Sequence, residues 1–268
     1  LEETAITAIA HTSDGPPGAA PVLPTVEFVG MAFTAIGPQS VLDALRARAP
    51  GAPFEYVVTP NVDHVVRLQR SRSDLWPAYR RAWMVLCDSR ILGRLARWRG
   101  AKLPVLPGSD LTRTILYALV EPGDRVAIVG GEAGQIEQLA ARFHLASVSH
   151  FHPPMGFVHD PLEMARAVQF IVSSQARYAF LAVGSPQQEL LAYRVARAGG
   201  ACGIGFCIGA SLDFLTGSQE RAPEVFQRLS LEWLYRLCSD PRRLWRRYLV
   251  DGPGIFRIAR RWSDARGH

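Results

Sequence analysis

No apolar run in this chain approaches the ~20 residues that a membrane-spanning helix needs, so the sequence offers no transmembrane segment of that kind. Cysteine is scarce: the four are Cys87, Cys202, Cys207 and Cys238. Their spacing matches no zinc site, and they are too few for a disulfide scaffold. Reduced thiols in a cytoplasmic setting are the simplest reading. No repeat of solenoid period occurs. The dinucleotide fingerprint G-x-G-x-x-G is absent. His150, His152 and His159 are close in sequence, but Pro153, Pro154 and Gly156 intervene and no histidine recurs at helical spacing, so no metal site is expected. Acidic residues are in deficit, 24 against 30 Lys and Arg, for a net charge of +6. That excess favours an anionic partner: a nucleotide, a phospholipid surface or a nucleic acid.

At 268 residues the chain is near the upper limit for a single core. It begins at Leu1 rather than Met, which reads as a fragment of a longer product. Leu1–Pro24 is rich in Ala, Thr, Gly and Pro without periodicity, and residues 1–24 are expected to lack fixed structure. From Val26 apolar strand-like runs alternate with helical patterns. The runs are Val26–Ala35, Phe54–Val58, Trp83–Cys87, Arg125–Val129, Ser147–Phe151, Tyr178–Val183 and Gly203–Ile208. This alternation predicts an α/β fold: a Rossmann-like, mainly parallel sheet with helices on both faces, spanning residues 25–217. After Gly217 the character changes. Residues 218–268 read as a basic C-terminal helical appendage, with Arg242, Arg243, Arg246 and Arg247 among Leu244, Trp245, Tyr248 and Leu249. Such a face suits an anionic membrane interface or nucleic-acid phosphates, and it equally suits a packed helix with a solvated basic side.

In an open parallel sheet, ligands sit beyond the carboxyl ends of the strands. Three polar residues follow two of the predicted strands: Thr59 and Asn61 in Thr59-Pro60-Asn61, and Asp88 in Cys87-Asp88-Ser89. Asp88 offers a carboxylate able to accept a proton. All three also read as helix caps, for which Ser, Thr, Asp and Asn are favoured. Asp110 either caps the helix after Pro107 or meets a ligand hydroxyl. The turn Gly130-Gly131-Glu132-Ala133-Gly134 between a strand and a helix has the form of a phosphate cradle. Tight-turn glycines without a ligand fit it as well.

The blocks TPNVDHVVRLQRS, CDSRIL, GSDLT, VGSPQQE and GASLDFLTGSQERAPEVFQRLSLEWLYRL, in that order, resemble the signatures of the WecG/TagA/CpsF glycosyltransferases. The resemblance runs from about Val26 to the last helices. It implies an inverting transfer of a hexosyl or N-acetylhexosaminyl group from a UDP-sugar to a polyprenyl-diphosphate-linked sugar, in bacterial surface polysaccharide or exopolysaccharide synthesis. It implies Asp88 as general base, with Thr59 and Asn61 lining the same pocket. It implies substrate contacts at Asp110, Gly130, Gly131, Gly134, Gln188, Gly209, Asp213, Arg221 and Arg236, with the two arginines facing the diphosphate. No cofactor or metal is expected, and the sequence lacks the D-x-D motif that holds a divalent ion on a nucleotide sugar. By the same resemblance the enzyme is cytoplasmic and peripheral on the inner face of the membrane, meeting it through 218–268. Nucleic acid is not an expected partner, and oligomerisation is left open. Two departures stand out: Ser89 follows the base where relatives carry glycine, and Val105 stands where many carry arginine. The rival readings are a nicotinamide-dependent oxidoreductase and a non-catalytic module binding anionic membrane or nucleic acid.

Overall fold

A computed structural model describes residues 18–217, 223, 226 and 232–264. The first strands, β1 (Thr25–Phe28) and β2 (Met31–Thr34), form an antiparallel hairpin separate from the main sheet. Its turn places Val29 and Gly30 at positive φ, 50° and 75°. Such a conformation is uncommon for a β-branched residue. Val29 is buried there, and Gln69 donates to its carbonyl at 2.8 Å.

The main sheet comprises β3 (Glu55–Val58), β4 (Met84–Val85), β5 (Arg125–Val129), β6 (Ser147–Phe151), β7 (Tyr178–Leu181) and β8 (Ile204–Cys207). All neighbours are parallel, in the order β4-β3-β8-β7-β5-β6. The last strand in sequence therefore sits centrally, between β3 and β7. The fourth segment is a strand only over Met84–Val85, shorter than the predicted Trp83–Cys87. Within the sheet it pairs with β3 alone, and just beyond it Cys87 adds a parallel bridge to Val105.

The helices are α1 (Pro38–Ala47), α2 (Val62–Arg70), α3 (Trp76–Arg81), α4 (Arg90–Trp98), α5 (Gly108–Ala118), α6 (Ala133–Phe143), α7 (Pro161–Ser174), α8 (Gln187–Ala198) and α9 (Ser211–Thr216). They cover both faces. Strand residues alternate between two apolar cores, as a period of two requires. Tyr56 and Val58 face the core with α2, α3, α7 and α8, whereas Val57, Phe180 and Phe206 face the one with α1, α5, α6 and α9. Phe180 and Phe206 stack at 5.6 Å between centroids.

The C-terminal part contains α10 (Glu232–Ser239), α11 (Pro241–Trp245), a π-helical segment Arg246–Asp251 and α12 (Gly254–Asp264). In α12 Ile255 and Ala259 are each 1% exposed and join the same core as α2. Trp262 meets Phe28 edge-on at 5.1 Å. Trp245, Leu249, Val250 and Phe256 remain exposed. Among the described residues no helix is long and apolar enough to cross a membrane.

Candidate active site

Strand register builds the site. Val85, Val58, Cys207, Leu181 and Val129 lie in one row across the sheet. The residues just beyond them share its carboxyl edge: Asp88 after β4, Thr59 and Asn61 after β3, Gly209 after β8, Ser185 after β7 and Gly130 after β5. The chain leaves β3 toward β4 on one side and later fills the other side with β8, β7 and β5. The crevice between β3 and β8 is thus the switch point at which such sheets bind ligands.

Asp88 and the β3 loop are joined by a backbone bond, the Asp88 amide donating to the Pro60 carbonyl at 3.0 Å. Asp88 itself is half-buried. Capping of α4 falls to its neighbour: Ser89 Oγ accepts from the Leu92 amide at 3.2 Å. Cys87, behind it, is sealed in the core, and burial pushes its thiol up to about 12. A thiol that stays protonated at neutral pH is a poor nucleophile.

Asn61 is the residue of the three that caps. Its Oδ1 accepts from the amides of Asp63 and His64, and His64 Nδ1 accepts from the Asn61 amide at 3.0 Å. The cap uses the amide oxygen and leaves the Nδ2 donors uncommitted to it. Thr59 is 9% exposed, and its hydroxyl donates to the Cys207 carbonyl at 3.2 Å, tying β3 to β8. The start of α5 lies directly over it: a methyl group at Gly108 would come within 2.8 Å of Thr59 Oγ1. Asp110 consequently sits in the first turn of α5 rather than at its cap, 4.0 Å from Arg113.

Gln188 is 3% exposed. Its Oε1 accepts from the Gly209 amide at 2.8 Å, and its Nε2 donates to Glu189 Oε1 at 3.0 Å. Both ends of the amide are therefore engaged within the protein, and they hold the loop after β8. Glu189 is 1% exposed and its Oε2 has no hydrogen-bond partner. Burial raises its carboxyl above the ordinary range; Gln188, Ser185 and Arg67 temper the effect. Arg67 donates to the Ser185 carbonyl at 3.2 Å, to Ser185 Oγ at 3.1 Å and to Asp63 at 3.4 Å. Tyr79 lies in the same group, its hydroxyl held well above its usual pKa by burial and then by Glu189. Sequence reasoning assigned no role to Arg67, Tyr79, Ser185 or Glu189. Arg67 lies in the block TPNVDHVVRLQRS, and Ser185 and Glu189 lie in VGSPQQE, which was the signal that could have found them.

The glycine turn has a packing explanation. Gly130 has φ +95°, and a methyl group there would lie 2.7 Å from the Ala182 carbonyl oxygen. His150 Nε2 donates to the Gly130 carbonyl at 3.0 Å, and His152 Nδ1 to that of Gly131 at 2.7 Å. The two histidines thus brace the turn. Gly134 is open: a methyl group there would meet nothing within 4 Å. Asp213 of α9 accepts from Gln135 Nε2 at 2.8 Å, which places it beside the start of α6. Neither α5 nor α6 has a side-chain cap at its N-terminus.

The structure therefore gathers Thr59, Asn61, Asp88, Asp110, Gln188 and Gly209 around the β3–β8 crevice, and Gly130, Gly131, Gly134 and Asp213 around the start of α6. Arg221 lies outside the described residues. Arg236 falls on α10, with its side chain outside them. A family model described as the glycosyl transferase WecG/TagA/CpsF family matches residues 26–267.

Proposed function

Because the chain belongs to the WecG/TagA/CpsF family of glycosyltransferases, which serve cell-surface polysaccharide synthesis, we propose that Asp88 is the general base of an inverting transfer from a UDP-sugar to a sugar carried on a polyprenyl diphosphate. The observation that carries this reading is the position of Asp88, half-buried beyond β4 at the carboxyl edge of the sheet and tied to the β3 loop by its amide bond to the Pro60 carbonyl.

The step is a single displacement. Asp88 takes the proton of the acceptor hydroxyl as its oxygen bonds to the anomeric carbon of the donor. The bond from that carbon to the diphosphate oxygen breaks on the opposite face, and UDP leaves with the electron pair. The leaving diphosphate needs positive potential. The uncapped starts of α5 and α6 present free N–H groups and positive dipole ends at the sheet's carboxyl edge. Arg221 and Arg236 add guanidinium groups by the family pattern, suited to paired bonds with phosphate. Thr59 and Gln188 act in this scheme by fixing the floor, through Cys207 and Gly209. Asn61 has its amide donors to offer to a sugar hydroxyl. The reaction is metal-independent in this reading, so EDTA is expected to leave turnover intact, and a loss restored by magnesium would overturn that part.

The test is Asp88→Asn, which keeps the size of the side chain and removes its basicity. Binding of UDP, followed by calorimetry, is expected to be unchanged. Transfer is expected to fall about a hundred- to ten-thousand-fold. Turnover near that of the unmodified enzyme would remove Asp88 from the role. The exposed Trp245, Leu249, Val250 and Phe256 near Arg246 and Arg257 support peripheral attachment of the C-terminal helices to an anionic membrane on its cytoplasmic side.

A further inference from the structure

A cavity of about 440 Å³ opens at the end of α2 farthest from the crevice. That helix starts beside Asn61 and ends at Arg70, roughly 12 Å further along its axis at 1.5 Å per residue. The turn of the β1–β2 hairpin, the last turn of α2 and one side of α12 line the cavity. Val29, Ile258 and Trp262 give it apolar walls, and Arg70, Arg257 and Arg261 bring three guanidinium groups to it. Among the described residues no acidic side chain lines it, and none is within ion-pair distance of these three arginines.

Cations gathered without a counter-charge repel one another, and apolar walls strengthen the repulsion. Arg257 and Arg261 stand at i, i+4 on α12, a like-charge pairing that weakens a helix. Arg70 suits the carboxyl end of its own helix, yet its guanidinium also lies against the start of another. Gly254 is the first residue of α12, and a methyl group there would come within 2.6 Å of Arg70 Cζ. The glycine thus admits a cation at the positive end of the α12 dipole, where the first turn carries no acidic residue. The hairpin wall is fixed: Gln69 donates to the Val29 carbonyl and holds that residue in its left-handed conformation. The amides of Ile255 and Phe256 donate to the carbonyls of Gly252 and Pro253, at 3.1 and 3.3 Å, so an anion here is a matter for side chains. Departures from local preference are expected at functional sites, and an anion among the three guanidinium groups would compensate all of these at once.

We propose that this cavity binds a phosphate ester, at a site separate from the reacting substrates. Guanidinium groups form paired hydrogen bonds with phosphate oxygens. The volume takes a phosphate with a small substituent, and Val29, Ile258 and Trp262 suit the apolar part of that substituent. The chemistry is the same for the headgroup of an anionic phospholipid and for a free phosphate compound. Such binding is independent of Asp88 and of sugar transfer. It also divides the arginines of α12, since Arg257 and Arg261 line the cavity and Arg260 does not.

The test uses the full chain at about 150 mM salt, where diffuse attraction between exposed charges is largely screened. Calorimetry follows inorganic phosphate, dihexanoyl phosphatidylglycerol below its micellar concentration, and UDP. Two variants remove cavity cations: Arg257→Ala/Arg261→Ala from α12, and Arg70→Ala from α2. The control, Arg246→Ala/Arg260→Ala, removes two charges from exposed C-terminal positions outside the cavity. Both cavity variants are expected to bind the phosphate probes about tenfold or more weakly, with the control, and UDP binding throughout, within about twofold of the unmodified chain. All three cavity arginines are exposed, so melting temperatures are expected to hold; if one variant melts early, the other decides. Tighter binding of phosphatidylglycerol than of phosphate gives the site to a lipid headgroup, and the reverse gives it to a free phosphate compound. Binding of neither probe overturns the proposal. So does an equal loss in the control, which would reduce the cavity to diffuse basic surface. A parallel loss of UDP overturns it as well, because the cavity would then belong to the donor site.

Discussion

Individual side chains around the crevice divide into those proposed to meet substrate and those that hold the floor. Glu189 belongs to the second group. Its carboxyl is buried with one oxygen unpaired, and its pKa is raised chiefly by loss of solvation. A raised acid favours the fold while it is protonated, below its ordinary value. That contribution is lost as pH climbs from the ordinary carboxylate range through the raised value. Glu189→Gln keeps the amide-like neutral form at every pH. Thermal melts from pH 4 to 9 are therefore expected to diverge, the native chain losing stability relative to the variant as pH rises. Parallel curves would show that Glu189 does not titrate in that range. The same logic explains why Cys87, adjacent to the proposed base, is a packing residue: its thiol is buried and stays protonated at neutral pH.

Among the elements, α2 shows how a capping reading and a binding reading coexist. Asn61 caps α2 with its oxygen, so Asn61→Ala removes the cap together with any ligand contact. Asn61→Asp retains an N-cap acceptor and removes the amide donors. Chemical denaturation is expected to show a loss of about 1 kcal/mol for the alanine variant and little for the aspartate. If both lose transfer, the donors of the amide matter; if the aspartate variant keeps it, Asn61 is a cap alone. In β8, Gly205 faces Phe54, whose Cζ would lie 2.5 Å from an added methyl group. A rigid ring in a filled core gives way poorly, so Gly205→Ala is expected to lower stability by about 1–3 kcal/mol in the same assay.

Across the whole molecule, the final helix is part of the core as well as a neighbour of the exposed aromatic surface. Ile255 is 1% exposed, and Ile255→Ala is expected to destabilise the protein by about 2–4 kcal/mol. Deleting α12 would therefore confound membrane attachment with folding. Point changes at exposed positions of the π-helical segment and of α12 separate them: Leu249→Ser/Phe256→Ser is expected to weaken binding to vesicles rich in phosphatidylglycerol with the melting temperature unchanged. Retained vesicle binding would place the membrane contact elsewhere.

Alternating strand and helix patterns, the polar residues after each strand and the blocks TPNVDHVV and CDSRIL were enough to fix an α/β sheet and to place Asp88 at a strand end. Those features are local, and periodicity and turn chemistry express them directly. Strand order was not local. Nothing in Gly203–Ile208 signals that it inserts between β3 and β7, because that choice depends on which apolar faces find each other across about 150 intervening residues. The same holds for the division of labour at the site. That Ser89 rather than Asp88 caps α4, that Gln188 reaches back to Gly209, and that Arg70, Arg257 and Arg261 converge on one cavity are outcomes of packing. Sequence determined which chemistry the chain carries; the folded sheet decided which groups are consumed by the fold and which stay available, since each hydrogen bond made inside is one that a substrate cannot have.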